Sequence, residues 1–263
     1  MDLEVIIQRL FFRNNMKYYI NSASSSKLEL DHKELIPDAN MRRRMSYVVR
    51  MGLGVAMDCI RNSSVEKVDG IVTAMGLGCL ADSEKFLKNI LDNNEQMLNP
   101  TPFIQSTFNT IGGQIALLTG NKCYNMTYSH RELSFESALL DCLMKLDEGD
   151  ANNILVGAAD EMTPTQVAIM QRMGIYKNGV EPSEGAHFFI VGNKPTNECI
   201  AVIDGFFMGD KMPTGTYDLK IKVEKGYFTA SAEALWHGIA AIKDGSKRVL
   251  VENNDFKISL TCL

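Results

Sequence analysis

Apolar and polar positions follow two different periods along the chain, and their alternation predicts an α/β protein with a largely parallel sheet. Short apolar runs predict strands, which cover 18–21, 68–73, 122–127, 153–157, 247–252 and 257–263. Apolar residues at helical spacing predict helices over 44–60, 82–91, 105–119, 134–147 and 230–243. Asp82 or Ser83 is the expected cap of the helix at 82–91.

Composition narrows the class of protein. The 263 residues are 45% hydrophobic, enough for one large core, and the net charge of -5 argues against nucleic acid or an anionic membrane as a main partner. Six cysteines lack CxxC spacing and lie mostly in apolar runs, which indicates reduced, buried thiols and a cytoplasmic protein. We expect no membrane span, no metal site and no cofactor.

The stretch from Lys122 to Asp160 is the richest in chemistry, because a predicted strand leads through a turn into a helix and then into a strand closing on Val156-Gly157-Ala158. Other motifs accompany it in a fixed order. They are Arg42-Arg43-Arg44-Met45-Ser46, Gly76-Leu77-Gly78-Cys79, Pro100-Thr101-Pro102-Phe103 with Ser106 and Asn109, Ser183-Glu184-Gly185-Ala186, and Gly226-Tyr227-Phe228-Thr229.

In this order and spacing the motifs resemble those of β-ketoacyl synthases of the thiolase superfamily, and in particular short chain-length-factor-like subunits of aryl polyene and flexirubin-type pathways. The resemblance implies a layered αβαβα, thiolase-like fold. Its first half, about 17–210, is nearly complete, and its second half, about 211–263, is strongly reduced. Residues 1–16 are expected to form an N-terminal extension, with Met16 as the family-like beginning.

The resemblance also shows which catalytic groups are changed. Counting back without a gap from Gly149-Asp150-Ala151-Asn152 puts Glu132 where the family keeps its nucleophilic cysteine, and Tyr227 replaces the second catalytic histidine. The section that carries the first histidine is missing. A thioester needs a thiolate, which a helix N-terminus stabilises and a carboxylate cannot replace. We therefore predict that this chain does not carry out condensation alone and has no catalytic residues of the Cys-His-His type.

A subunit of this kind implies a partner. The resemblance predicts pairing with an active ketosynthase through the strand at 122–127, and transient docking of an acyl carrier protein. Arg42–Arg44 is interpreted as a solvated helix start, with carrier docking as the alternative. Phe103, Phe108 and Ile111, with Met126 and Tyr128 nearby, are candidates for setting the depth of the partner's acyl tunnel. Ordinary core packing is the alternative for each of these five residues.

Two other classes of function stay open. Ser129, His130 and Glu132 are a candidate polar site for hydrolytic or general-base chemistry, and decarboxylation of a malonyl thioester is a related possibility. The chain is alternatively a homodimeric acyl-binding or scaffold module. The remaining histidines are interpreted as structural or solvated; they are His32 in a polar loop, His187 in a strand and His237 on the C-terminal helix.

Overall fold

The structure is a computed structural model that describes residues 17–176, 180–209, 213, 215–224, 226–253 and 256–263. The strands are β1 (Tyr18–Ser25), β2 (Gly70–Ala74), β3 (Tyr124–Tyr128), β4 (Asn153–Asp160), β5 (Gly185–Gly192), β6 (Ala201–Met208), β7 (Leu219–Lys222), β8 (Arg248–Asn253) and β9 (Phe256–Thr261). The helices are α1 (His32–Leu35), α2 (Ala39–Arg44), α3 (Tyr47–Arg61), α4 (Leu80–Asp92), α5 (Pro100–Gln105), α6 (Thr110–Thr119), α7 (Ser134–Asp147), α8 (Pro164–Met173) and α9 (Ala230–Lys243). The expected extension at 1–16 and the expected boundary near 210 lie outside the described residues.

The strands follow the order β3-β2-β4-β5-β1-β6-β9-β8-β7. Parallel pairing is confined to β2 with β3 and β4 and to β7 with β8 among the described strands, while the other pairs are antiparallel. The expectation of a largely parallel sheet was therefore wrong. Between β8 and β9 the chain is too short for a crossover helix, which a parallel pair requires.

Helices α7 and α9 lie between the two halves of the sheet. Helix α7 packs on β2 and β4 of the first half, and α9 contacts both β5 and the second-half strand β8. On the opposite face of the first half, α3 and α6 form a second core. The second half contributes one helix, α9, among its described residues, and Arg248 on β8 contacts Asp204 of β6 and Tyr217. The layered architecture with a reduced second half agrees with the expected fold class.

Helices α7 and α9 were predicted accurately, whereas the other predicted helices exist with different bounds or with a break. Helices α7 and α9 occupy the predicted ranges, but the predicted helices at 44–60 and 105–119 are each interrupted. Arg42–Arg44 forms the last turn of α2 and not a helix start. The side chain of Gln105 causes part of this change, since its Oε1 accepts the Ser46 N–H at 2.9 Å and its Nε2 donates to the Arg44 carbonyl.

Helix α4 begins earlier than predicted. It starts at Leu80, and neither Asp82 nor Ser83 caps it. Its free N–H at Ala81 instead donates to Glu161 Oε1 at 2.9 Å. Because this acceptor comes from a residue 80 positions away, local sequence could not reveal the helix start.

Candidate functional site

The turn between β3 and α7 keeps the strand–turn–helix form that the resemblance predicts. Arg131–Leu133 forms a single 3₁₀ turn, and Arg131 has a positive φ of 49°. The Ser134 hydroxyl anchors the turn, because Oγ accepts the His130 N–H at 2.8 Å and lies 3.1 Å from the Met75 carbonyl oxygen. Met75 directly follows β2, so the turn is fixed to the neighbouring strand end.

A carboxylate occupies this turn, and the thiols lie elsewhere. Glu132 is exposed, and its backbone carbonyl lies 3.5 Å from Asn253 Nδ2. Cys123 precedes β3, and Cys142 is completely buried within α7, where burial raises the pKa of its thiol well above the ordinary value. All six cysteines are described, and all are free thiols. The expectation that they are buried holds for Cys59, Cys79 and Cys142, whereas Cys262 is exposed.

The alternative polar site consists of neighbouring but exposed side chains. Ser129, His130 and Glu132 all face solvent at the turn. In the described part of the chain, no hydrogen bond joins the Ser129 hydroxyl to the His130 imidazole. General-base catalysis of an attacking hydroxyl needs such a contact, directly or through water. The residues are thus close in sequence, and the turn does not hold them as a nucleophile–base pair.

Tyr227 belongs to a buried polar network that links the two halves of the protein. Its Oη lies 3.0 Å from His187 Nε2 on β5 and 2.9 Å from Glu233 Oε2 on α9, and Lys27 Nζ lies 3.0 Å from the other Glu233 oxygen. An ionised carboxylate only accepts hydrogen bonds, so Tyr227 donates to Glu233 and accepts from His187 Nε2–H. Burial lowers the pKa of His187 to about 3 and raises the pKa of Tyr227, which keeps both groups neutral at pH 7.

Asp160 fixes the segment that carries Tyr227 to the end of β2. Its carboxylate accepts the Gly76 N–H at 2.8 Å and the Thr229 N–H at 3.0 Å. Burial raises the pKa of Asp160 to about 6. Phe228 packs directly over Gly76, where an added Cβ would lie 2.2 Å from the Phe228 Cβ. Tyr227 thereby lies in a closed, well-packed junction.

The five tunnel candidates lie in different environments. Phe103 is 56% exposed, and its ring packs against that of Phe86 at a centroid distance of 5.2 Å. Phe108 is 43% exposed and Met126 is 41% exposed. Tyr128 is half-buried, and burial followed by the Asp141 carboxylate raises its pKa. Ile111 is buried beneath Gly52 and contributes to the core between α3 and α6.

Strand β3 is an edge strand with exposed apolar side chains on it and beside it. It lies at one end of the sheet and pairs only with β2 among the described strands, so one of its edges carries unpaired backbone groups. Met126 of β3 is exposed, and so is Leu117 of α6, a helix that contacts β3. Other exposed apolar side chains lie on α4, on α5 and in the loop after α5, namely Leu87, Leu91, Phe103, Ile104 and Phe108. An edge strand with exposed apolar side chains is typical of a surface that another protein covers.

Metal binding and membrane insertion find no structural support within the described ranges. No group of three or more His, Cys, Asp or Glu side chains there is arranged to hold a metal ion. None of the described helices has both the length and the apolarity that a bilayer-spanning segment needs.

Solved structures with the same fold include ketosynthases and their complexes. A chain from the ketosynthase–chain length factor complex ApeO–ApeC of Xenorhabdus doucetiae matches with a TM-score of 0.64 and 13% identity, covering 94% of this chain and 100% of that chain. The ishigamide ketosynthase/chain length factor matches with a TM-score of 0.67, 14% identity and coverage of 94% and 99%. A β-ketoacyl synthase from Burkholderia phymatum STM815 gives a TM-score of 0.68, 10% identity and coverage of 94% and 100%.

Sequence comparison identifies the family. No curated protein matches the chain significantly. The family model described as "Beta-ketoacyl synthase, N-terminal domain" matches residues 21–176, which is more than half of the chain and includes the turn with Glu132. The chain therefore belongs to the β-ketoacyl synthase family and has its thiolase-like fold.

Proposed function

We propose that this chain is a catalytically deficient ketosynthase-like subunit that pairs with an active β-ketoacyl synthase and shapes the acyl tunnel of that partner. The observation that carries the proposal is the exposed Glu132 at an otherwise intact strand–turn–helix, with no thiol within the turn. Chain extension through an enzyme-bound thioester needs a cysteine at this point. The partner supplies that cysteine and both histidines.

Tyr227 supports the same conclusion. A catalytic histidine must present a ring nitrogen to the substrate, whereas the Tyr227 hydroxyl is 3.0 Å from His187 and 2.9 Å from Glu233 and is buried with them. Its hydrogen-bonding capacity is used inside the protein. His187 is no substitute for the lost group, since burial lowers its pKa to about 3 and leaves it far from the pH of catalysis.

Pairing is proposed to occur through the edge of β3. A second sheet that adds to this edge satisfies the unpaired backbone groups of Tyr124–Tyr128 and covers exposed Met126 of β3 and Leu117 of the neighbouring α6. Exposed Phe103, Phe108 and Met126 then lie where the two subunits meet. Ile111 serves mainly as a core residue, and Tyr128 serves mainly as a partner of Asp141.

We extend the proposal to the pathway in which the subunit works. Solved structures with the same fold include ketosynthase–chain length factor pairs and a type II polyketide ketosynthase in complex with its acyl carrier protein. We infer that the chain acts in polyketide or fatty-acid-type polyene synthesis, with aryl polyenes as the expected product class. An acyl carrier protein docks transiently, and cytoplasmic assembly fits the free thiols.

The test is product length in a reconstituted reaction of the two subunits with carrier protein and extender units. Replacing Phe103 or Phe108 with Ala enlarges the space at the proposed interface, so the average product gains at least one extension cycle. Leu219→Ala is the matched control, since Leu219 is 40% exposed on β7 at the opposite end of the sheet. Unchanged product length in both phenylalanine variants, with the complex intact, contradicts a role in tunnel depth.

A further inference from the structure

A small cavity of ≈ 210 Å³ lies beside the carboxyl end of β1. Strands β1 and β4 both run antiparallel to β5, and β2 and β3 run parallel to β4, so the carboxyl ends of these four strands share one side of the sheet. The turn with Glu132 lies on that side as well. The cavity is lined by Ser26, Leu28, Leu30, His32, Tyr47, Arg50, Met51 and Val55.

Arg50 is the charged group of this cavity. It is partly buried on α3, and within the described ranges its guanidinium forms no hydrogen bond or ion pair. A guanidinium has five N–H donors, and a partly buried one is normally matched by carboxylate or phosphate. The Glu184 carboxylate interacts with the hydroxyl of Tyr47, which is one of the lining residues. The guanidinium of Arg50 is thus available to a ligand in the cavity.

Ser26 adds a hydrogen-bond donor to the same cavity. Its Oγ accepts the Ala186 N–H at 3.0 Å, which fixes the oxygen and leaves the hydroxyl hydrogen to donate.

His32 adds a further donor. The sequence suggested a polar loop, but His32 begins α1 and its ring packs on α3. A Cβ on Gly54 would lie 2.4 Å from both His32 Nδ1 and Cε1, and the buried Nδ1 has no hydrogen-bond partner. Burial, together with Arg50, lowers the pKa of His32. A neutral imidazole has one N–H group, and with its hydrogen on Nε2 the His32 ring can donate to a ligand.

We propose that this cavity is a binding site for a phosphate group carried on a short alkyl chain. Arg50, Ser26 and His32 supply donors of the type that phosphate oxygens accept, and Leu28, Leu30 and Val55 provide an apolar wall for the alkyl part. The phosphate comes either from a free metabolite or from the phosphoester arm of a carrier protein. The second source rests on the proposed function, whereas the site itself does not.

Titration of the isolated full chain with inorganic phosphate and with monomethyl phosphate, followed by ³¹P NMR line broadening, tests the site. Arg50→Met is expected to weaken binding of both probes at least about tenfold, because it removes the charged fork. Arg43→Met removes an equal charge from the exposed surface of nearby α2 and is expected to change affinity less than about twofold. No binding by the unaltered chain, or equal losses in the two variants, overturns the proposal.

Gly54→Ala provides a second variant that leaves every charge in place. The new methyl group displaces the His32 ring from its seat on α3, so phosphate affinity falls while Arg50 remains. Circular dichroism shows that the variant is folded, and unchanged affinity in folded protein contradicts the role of His32. Binding of dimethyl phosphate as tightly as monomethyl phosphate points to a carrier phosphodiester, and preference for the dianionic monoester points to a free metabolite. Since no ketosynthase is present, these results do not depend on subunit pairing.

Discussion

The two positions that we propose to correspond to catalytic residues of the family lie in opposite environments. Glu132 lies on an exposed turn, and the surrounding backbone keeps the strand–turn–helix form. Tyr227 is buried at 5% exposure and joined to His187 and Glu233 by hydrogen bonds. The first position lies on a turn that keeps the strand–turn–helix form, and the second is enclosed in the core. Under the proposed correspondence, loss of catalysis and retention of the fold are separable within one scaffold.

The difference indicates what each region now does. Buried polar groups that satisfy one another fix the arrangement of the elements that carry them, here β5 with the start of α9. An exposed turn contributes little to stability and is available to a neighbouring subunit. We therefore propose that the Tyr227 network holds the two halves of the protein together and that the surface around Glu132 is available for pairing with another subunit.

Tyr227→Phe is expected to give the largest change in the stability of the isolated chain. The substitution leaves the Nε2–H of fully buried His187 without an acceptor, which costs about 1–3 kcal/mol in the free energy of unfolding. Urea denaturation measures the change. Tyr19→Phe, at a half-buried tyrosine, is the control and should change stability by less than about 0.5 kcal/mol. Equal effects of the two substitutions would show that the hydrogen bonds of Tyr227 do not contribute to stability.

The pH dependence of stability also tests the Tyr227 network, through the protonation of His187. His187 has a pKa of about 3 in the folded chain, below its ordinary value of 6.5, so the unfolded state binds more protons between these values. Its contribution is complete above pH 6.5 and is lost as pH falls towards 3. Asp160, with its pKa raised by burial to about 6, acts in the opposite direction.

Because His187 and Asp160 have opposite effects, we compare the free energy of unfolding of the unaltered chain with that of His187→Gln at each pH. The unaltered chain should gain about 1–2 kcal/mol over the variant from pH 4.5 to 6.5. A difference that stays constant over this range would show that His187 is equally protonated in the folded and unfolded states.

A pair of adjacent glycines on α6 tests how tightly the edge strand is held. A Cβ on Gly112 would lie 2.9 Å from Asn125 Oδ1 and 3.1 Å from Thr73 Oγ1, whereas nothing lies within 4 Å of one on Gly113. Gly112→Ala should therefore destabilise the chain by about 1–2 kcal/mol and shift β3. Gly113→Ala should stabilise it by about 0.5–1 kcal/mol through helix propensity. Thermal unfolding of both variants measures these changes in stability. Stabilisation by Gly112→Ala would contradict the described packing of α6 on β3.

The sequence supported the fold better than the site. Periodicity located α7 and α9 correctly because each presents a long apolar face to one core. The break before α3 depends on Gln105, and the start of α4 depends on Glu161, so neither was visible locally. The His187–Tyr227 contact spans 40 residues and was missed; the only signal was an isolated histidine in an apolar strand.

Glu132→Cys is expected to change stability least, by less than about 0.5 kcal/mol, because the side chain is exposed. In a Cys262→Ser background, the new thiol should react with maleimide much faster than buried Cys142. The isolated variant should still form no condensation product, since Tyr227 remains in place of histidine. Product formation would show that the turn alone determines the loss of activity.

We propose that the edge at β3 belongs to an assembly with an active ketosynthase. Native mass spectrometry of this chain, alone and mixed with a β-ketoacyl synthase that retains the cysteine and both histidines, measures whether the two proteins pair. We expect a one-to-one complex that forms in preference to either homodimer and that is lost on replacing exposed Met126 in β3 with Pro. A stable homodimer that does not bind the ketosynthase would rule out this assembly and favour a homodimeric acyl-binding module.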